Sequence, residues 1–298
     1  MILIIGANGL VGREVSRKLS AKNIPWQGTY YQRPEKDLSK LNITHSAQLE
    51  EIFSKTQPRA VIHCANLSGG VNFCETHKEF ATAFHFLATQ KIGMLCKEYN
   101  SSLIFISTDY VFDGLKKTYD ENSTPNPLNI YGKLKLSSEE WIQKNLEKYV
   151  IVRSTNIYGW DPKTVTPNYM MNLYSSLKNN KIFEAPSYLW GNQTYVEDLA
   201  ESILELYSKK ATGLFHIVGK SFIDRFTWAT LASKILEVDS RLVHEVKHPP
   251  SNMIPRPLQS NLGTKKFSSL YNSKLHSASE GLQLMKKCII TSVPLKIE

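Results

Sequence analysis

The chain begins MILIIGANGLVGREVSRKLSAK, and the stretch GANGLVG, residues 6 to 12, restricts its fold more than any other. Ile2 to Ile5 before it are continuously apolar, as a strand buried on both faces requires. After it, Leu10, Val11, Val15 and Leu19 fall at helical spacing. A strand that becomes a helix through three glycines is built to meet an anion. Gly6 allows the tight turn, Gly9 lets backbone approach a pyrophosphate, and Gly12 lets helix and strand pack closely. The helix N-terminus then presents free N–H groups and the positive end of its dipole. The spacing is GxxGxxG rather than GxGxxG, but its place directly after a strand and directly before a helix makes it a strong signal.

The first half of the chain keeps the same rhythm. WQGTYY, AVIHCA, SLIFIS and YVIVRS read as strands. AQLEEIFSK, residues 78 to 98, and the stretch from Asn129 through SSEEWIQKNLEK read as helices, and ANLSGGVNFCE reads as a loop. Strands separated by helices imply an α/β fold with a Rossmann-like, doubly wound parallel sheet. Past about residue 155 the rhythm loosens. YMMNLYSSLKNN, TYVEDLAESILELYSKK and FTWATLASKILEV are helical, GLFHIVG is a strand, and the Pro-rich HPPSNMIPRPLQSN is irregular. The expected division is a dinucleotide-binding domain over residues 1–155, to which 192–220 returns, and a smaller C-terminal α/β substrate lobe made of 156–191 and 221–298.

Composition narrows the function classes. A chain of 298 residues suffices for one large α/β domain with a small lobe. No apolar run approaches the ~18 residues of a membrane span. The apolar N-terminus is short and lacks the basic start of a signal peptide, which places the expected location in the cytoplasm. The four cysteines, Cys64, Cys74, Cys96 and Cys288, show no CxxC and no framework spacing. His63, Cys64, Cys74 and His77 can be drawn as a zinc set, but His63 and Cys64 end an apolar strand and metal pairs sit on tight knuckles, so no metal is expected. The formal charge of +9 comes from scattered residues. It describes a solvated surface whose field attracts phosphorylated ligands, and gives no support to nucleic-acid binding.

A second constellation carries chemistry. STDYVFDG ends a buried strand with Thr108, and YGKLK places Tyr131 and Lys135 four residues apart on one helix face. A phenol has a pKa near ~10, and a neighbouring ammonium favours its ionised form and lowers that value. Tyr131 is therefore a candidate general acid for a ketone being reduced. Ligands of such sheets bind outside the carboxyl ends of the strands, where the Thr108 hydroxyl could bond the same carbonyl oxygen. At the end of the second strand, GTYYQRP offers no acid before Glu35 to accept from a ribose hydroxyl. It offers Arg33, whose guanidinium could pair with a 2′-phosphate, so NADPH is the expected cofactor and NADH the allowed one. In RPLQSN, Arg256 is the expected anchor for a substrate phosphate.

GANGLVG, STDYVFDG, NPLNIYGKLK and TYVEDLA, in this order over nearly the whole chain, resemble the extended short-chain dehydrogenase/reductases. More narrowly they resemble the dTDP-4-dehydrorhamnose reductase family of sugar-nucleotide reductases. The resemblance implies NAD(P)H-dependent reduction of a 4-keto nucleotide-activated deoxysugar, as in dTDP-rhamnose and polysaccharide biosynthesis, with a homodimer allowed. It implies Thr108, Tyr131 and Lys135 as the catalytic set, Tyr131 and Lys135 also meeting the cofactor. Gly6, Asn8, Gly9, Leu10 and Val11 would hold the pyrophosphate, Asn42 and Ile43 of LNIT the adenine, and Cys64, Ala65 and Asn66 the ribose. Thr108, Asp109 and Tyr110 would line the sugar pocket. Three positions depart from the pattern. His85 stands where the family has Asn, Asn156 stands where rhamnose-forming members have a Trp against the sugar, and ANLSGGVNFCE replaces the usual loop. The reaction class is thus better specified than the sugar. Two other readings stay open. The regulatory β subunit of methionine adenosyltransferase shares the fold and DYVFDG-like and YGK-like motifs. Nucleotide-sugar epimerases and dehydratases share the fold too, although a dehydratase has Glu where Tyr110 follows Asp109.

Overall fold

Successive side chains of the first strand, β1 (Ile2–Ile5), enter two different cores. Ile2 and Ile4 pack with Val15 and Leu19 of helix α1 (Leu10–Ala21). Leu3 and Ile5 pack on the opposite face with Leu49 and Phe53 of α2 (Ser46–Thr56). Period-two alternation with both faces apolar is what a sheet covered by helices on both sides demands. The computed structural model describes residues 1–164 and 166–292. The lobe expected over 156–191 and 221–298 therefore includes positions, 165 and 293–298, that lie outside the described residues.

β1 is joined by β2 (Trp26–Tyr30), β3 (Leu38–Lys40), β4 (Ala60–His63), β5 (Ser102–Thr108), β6 (Tyr149–Ser154) and the Gly213–His216 strand. The seven strands run parallel in the order Gly213–His216, β6, β5, β4, β1, β2, β3. The chain builds outward from β1 to β3, then returns to β4 on the other side. That reversal between β1 and β4 opens a crevice at the strands' carboxyl ends, where ligands of such sheets bind. The short, mixed LSK of β3 carried no strand signal.

Two helical segments differ from the sequence reading. ANLSGGVNFCE is largely helix α3 (Gly70–Thr76), which begins after Gly69 at φ +87°. Residues 78 to 98 are helical throughout, but α4 (Lys78–Thr82) passes through a π-helical turn, Ala83–Leu87, before α5 (Ala88–Glu98). A π turn widens the ladder and often marks a functional site. Here the His85 carbonyl accepts from the hydroxyls of Thr89 (2.7 Å) and Ser138 (2.8 Å). The next helix, α6 (Ile130–Asn145), starts at Asn129, whose Oδ1 accepts from the Gly132 N–H at 2.9 Å.

A third apolar cluster lies away from the sheet. Met170 and Leu173 of helix Tyr169–Lys178, Trp228 and Ala232 of helix Arg225–Ile235, and Leu282 and Met285 of helix Ala278–Ser292 form it around Tyr158 and Tyr195. The Pro-rich stretch is irregular up to Gln259–Ser260, which forms a short parallel bridge with Trp190–Gly191. No helix among the described residues is long and apolar enough to cross a membrane.

Candidate active site

The glycine turn meets the start of the β4 loop at close range. Gly6 has φ +85°, and a Cβ there would come within 2.9 Å of the Ala65 backbone. The turn is pinned to β2 by bonds from Gly6 N–H to Thr29 Oγ1 (3.3 Å) and from Ala7 N–H to the Thr29 carbonyl (2.8 Å). Above it lies a cavity of about 650 Å³. Gly6, Asn8, Gly9, Leu10 and Val11 line it together with Asn42, Ile43, Cys64, Ala65 and Asn66. Helix α1 has no side-chain cap and no acidic residue in its first turn, so its leading N–H groups are left for an anion. These features fit a dinucleotide. Burial pushes the Cys64 thiol up to about 12, against the pull of Lys135, so this wall of the cavity is neutral.

Arg33, Tyr131 and Lys135 are the members of the expected cofactor set that do not line this cavity. The Arg33 side chain is exposed, although Asn8 Nδ2 holds its carbonyl at 3.2 Å. Glu35 is engaged by Arg13, whose Nη1 lies 2.7 Å from Oε1 and whose Nε lies 3.2 Å from Asp161. Thr29, Tyr30 and Gln32 line the cavity as well, and nothing in their residue types singled them out.

The second constellation is assembled by the N-terminus of α6. A Cβ at Gly132 would come within 2.1 Å of the Tyr110 carbonyl oxygen. The glycine of YGKLK therefore lets the helix press onto the turn that follows Thr108. Glu75 of α3 accepts from the Ile130 N–H at 2.7 Å, and Asn129 Nδ2 donates to the Pro255 carbonyl at 2.9 Å. Tyr131 is thus held between β5, α3 and the Pro-rich segment. Its ring meets Tyr110 edge-on at 5.8 Å and His85 of the π turn at 5.3 Å. The Thr108 hydroxyl donates to Asp109 Oδ1 at 3.2 Å, and its oxygen accepts from the Tyr110 N–H at 3.2 Å.

The electrostatics correct one expectation. The Lys135 ammonium does not lower the Tyr131 phenol; burial raises it above its usual value, and the Thr108 hydroxyl offsets only part of that. Lys135 Nζ donates instead to the Ile106 carbonyl (2.6 Å) and lies 4.1 Å from the centre of the Phe105 ring. Burial lowers the ammonium itself to about 8, against the raising effect of Glu139. A phenol held in its protonated form is what a proton donor to a ketone requires. His85 is held neutral by burial, with Lys135 and His63 adding to the effect, and its Nε2 has no partner among the described residues.

On the outer side of Thr108, Asp109 is buried and raised by desolvation, while the hydroxyls of Thr155, Ser260 and Thr108 oppose the rise. Burial also raises the Tyr110 phenol, and the guanidinium groups of Arg225 and Arg256 draw it back. Arg256 Nη2 donates to Asn72 Oδ1 at 3.0 Å. Asn156 takes the left-handed conformation, φ +44°, and its Oδ1 accepts from Arg225 Nη2 at 3.4 Å. Arg225 was missed in the sequence, because an Arg after a helix-capping Asp carries no signal of where its side chain goes.

A family model described as the RmlD substrate binding domain matches residues 1–289. Among curated proteins, methionine adenosyltransferase 2 subunit beta of Xenopus tropicalis is 27% identical over 274 residues, 90% of this chain and 81% of that protein. Among solved structures, the dTDP-4-dehydrorhamnose reductase of Bacillus anthracis in complex with NADP superposes with a TM-score of 0.85 at 25% identity, covering 95% of this chain and 97% of that one. A hypothetical dTDP-4-dehydrorhamnose reductase of Sulfolobus tokodaii superposes with a TM-score of 0.83 at 29% identity, covering 93% and 96%.

Proposed function

The chain belongs to the RmlD substrate binding domain family, and from that premise we propose that it is an NADPH-dependent reductase of a 4-keto nucleotide-activated sugar. One observation carries the reading. Thr108 ends β5 and its hydroxyl opposes the rise of the Tyr131 phenol, at the same carboxyl edge of the sheet as the glycine turn with its free helix N-terminus and dinucleotide-sized cavity. The reduced nicotinamide, when bound, supplies the hydride. The Thr108 hydroxyl holds the ketone oxygen, and the protonated Tyr131 phenol donates to that oxygen as charge develops on it. Lys135, anchored on Ile106, is the buried cation of the site. Its pKa near 8 lets it exchange a proton close to neutral pH. His85 backs the ring as a neutral group. Arg33, next in sequence to Gln32 of the cavity lining, favours NADPH over NADH, and the reductase of Bacillus anthracis, solved with NADP, lends support. The dinucleotide is assigned to residues 1–155 with 192–220, and the sugar nucleotide to the remaining lobe.

The relationship to methionine adenosyltransferase 2 subunit beta favours a second reading, a dinucleotide-binding subunit that modulates a partner enzyme. One experiment separates the two. The purified chain is incubated with NADPH and a dTDP-4-keto-6-deoxysugar, and NADPH consumption is followed. Turnover supports the reductase. NADPH binding without turnover, together with a changed rate of an added methionine adenosyltransferase, overturns it in favour of the second reading.

A further inference from the structure

We propose that Arg13 sets the cofactor preference indirectly, by holding Glu35 behind helix α1 and away from the dinucleotide cavity. The inference rests on the NADPH-dependent reading above and adds to it a specificity residue that acts through another side chain.

The segment that follows β2 carries a conflict of charge. Arg33 suits a 2′-phosphate, and Glu35, two residues on, opposes one. A carboxylate near the end of the second strand is what NAD-selective sites use to accept from a ribose hydroxyl. The same charge repels a phosphate, and removing a repulsive element is one way to build specificity. Of residues 31–37, Glu35 is the one turned partly inward, while the other six are exposed. It turns away from the cofactor. Tyr31 and Gln32 line the dinucleotide cavity, whereas Glu35 lines a separate hollow behind α1 with Arg13, Asp161 and Trp160.

Arg13 keeps it there. Its Nη1 donates to Glu35 Oε1 at 2.7 Å and its Nη2 donates to Oε2, the two-pronged geometry in which guanidinium and carboxylate bind each other most strongly. The two side chains keep 18% and 33% of their exposure, so salt screens the pair less than one on the open surface. The guanidinium is itself fixed by other groups. Nε donates to the Asn8 carbonyl at 3.2 Å and lies 3.2 Å from Asp161 Oδ2, and Nη2 donates to the Lys163 carbonyl at 3.1 Å. Asn8, which lines the dinucleotide cavity, donates in turn to the Arg33 carbonyl at 3.2 Å. One residue of α1 therefore ties the glycine turn to this segment twice, through Asn8 to Arg33 and directly to Glu35. The second tie cancels the Glu35 charge two residues from Arg33.

The test is a double-mutant cycle read by binding, with NADPH and NADH titrated separately by nicotinamide fluorescence at low and high salt. The proteins are the wild type, Arg13→Gln, Arg13→Lys, Glu35→Gln and the double variant Arg13→Gln/Glu35→Gln. Glutamine removes the charge and keeps a donor for the Asn8 carbonyl. The lock predicts that Arg13→Gln weakens NADPH by about tenfold, the scale of one freed like charge near a partly exposed phosphate. NADH affinity stays within about twofold, which shows that the glycine turn is intact, and Arg13→Lys recovers part of the NADPH loss. High salt shrinks the loss, because it screens a repulsion. The decisive comparison is Glu35→Gln in two backgrounds. It changes NADPH affinity by less than about twofold in the wild type and restores most of the loss in Arg13→Gln. An equal gain in both backgrounds overturns the lock, as does no recovery in the double variant, the result expected if Arg13 met the phosphate itself. An equal loss of NADPH and NADH in Arg13→Gln overturns it too. A protein that shows the predicted cycle and reduces no ketosugar leaves the lock standing and removes the reductase reading.

Discussion

Lys135 is a buried cation placed for chemistry at the expense of stability, and replacing it measures that expense. Its side chain is 4% exposed, and burial brings its pKa from 10.5 to about 8. That displacement corresponds to roughly 3 kcal/mol against the charged form at neutral pH. Lys135→Met nearly conserves volume and removes the charge. It also leaves the Ile106 carbonyl without the donor now at 2.6 Å, which costs about 1–3 kcal/mol. The two effects leave the variant at neutral pH between equal to the wild type and about 2 kcal/mol more stable. The pH dependence is the sharper signature. Between about pH 8 and 10.5 the folded wild type has released the Lys135 proton while the unfolded chain still holds it. Unfolding takes up a proton in that window, so wild-type stability rises relative to the variant by up to ~1.4 kcal/mol per pH unit. Urea unfolding of both proteins across the window reads the difference, and other titrating groups cancel in it. A difference that stays constant with pH would refute the claim that Lys135 is held charged at a cost.

Arg33→Ala should lower the ratio of NADPH to NADH catalytic efficiency by about tenfold to a hundredfold. Initial rates with each cofactor check this, and an unchanged ratio removes Arg33 as the selector. His85→Phe keeps an aromatic edge against Tyr131 and removes the ring nitrogens, so kcat should fall by about tenfold or more while NADPH affinity holds. Because burial already holds His85 neutral, the wild-type rate profile should show no titration in the histidine range, and His85→Asn should retain activity.

The legible parts of this molecule are those where one residue type answers to one local demand. The alternating cores follow from the apolar runs of β1 and β4 to β6, and the parallel order from strands that each need a helix to return. Asn129 announces the start of α6, and the YGKLK spacing places Tyr131 and Lys135 on its inner face. The glycine turn announces the cavity. The remainder depends on contacts between distant segments. The π turn at Ala83–Leu87 is completed by a Ser138 hydroxyl from another helix, and local periodicity cannot report it. The pair Gly69–Gly70 reads as a break, yet it opens α3, and Glu75 of that helix then caps Ile130. Lys135 was read against its neighbour in sequence, Tyr131, while its partner is a carbonyl on the adjacent strand. Arg225 meets Asn156, which adopts a left-handed backbone and is left space by Gly191, a contact between segments far apart in sequence.

The most direct test of the account is Tyr131→Phe, measured in parallel for NADPH binding and for turnover of a dTDP-4-keto-6-deoxysugar. The substitution removes one oxygen and keeps the ring that packs on Tyr110 and His85. The account predicts NADPH affinity within about twofold of wild type and a rate lower by about a hundredfold to ten-thousandfold, the range for loss of a general acid. Wild-type turnover by the variant would contradict it.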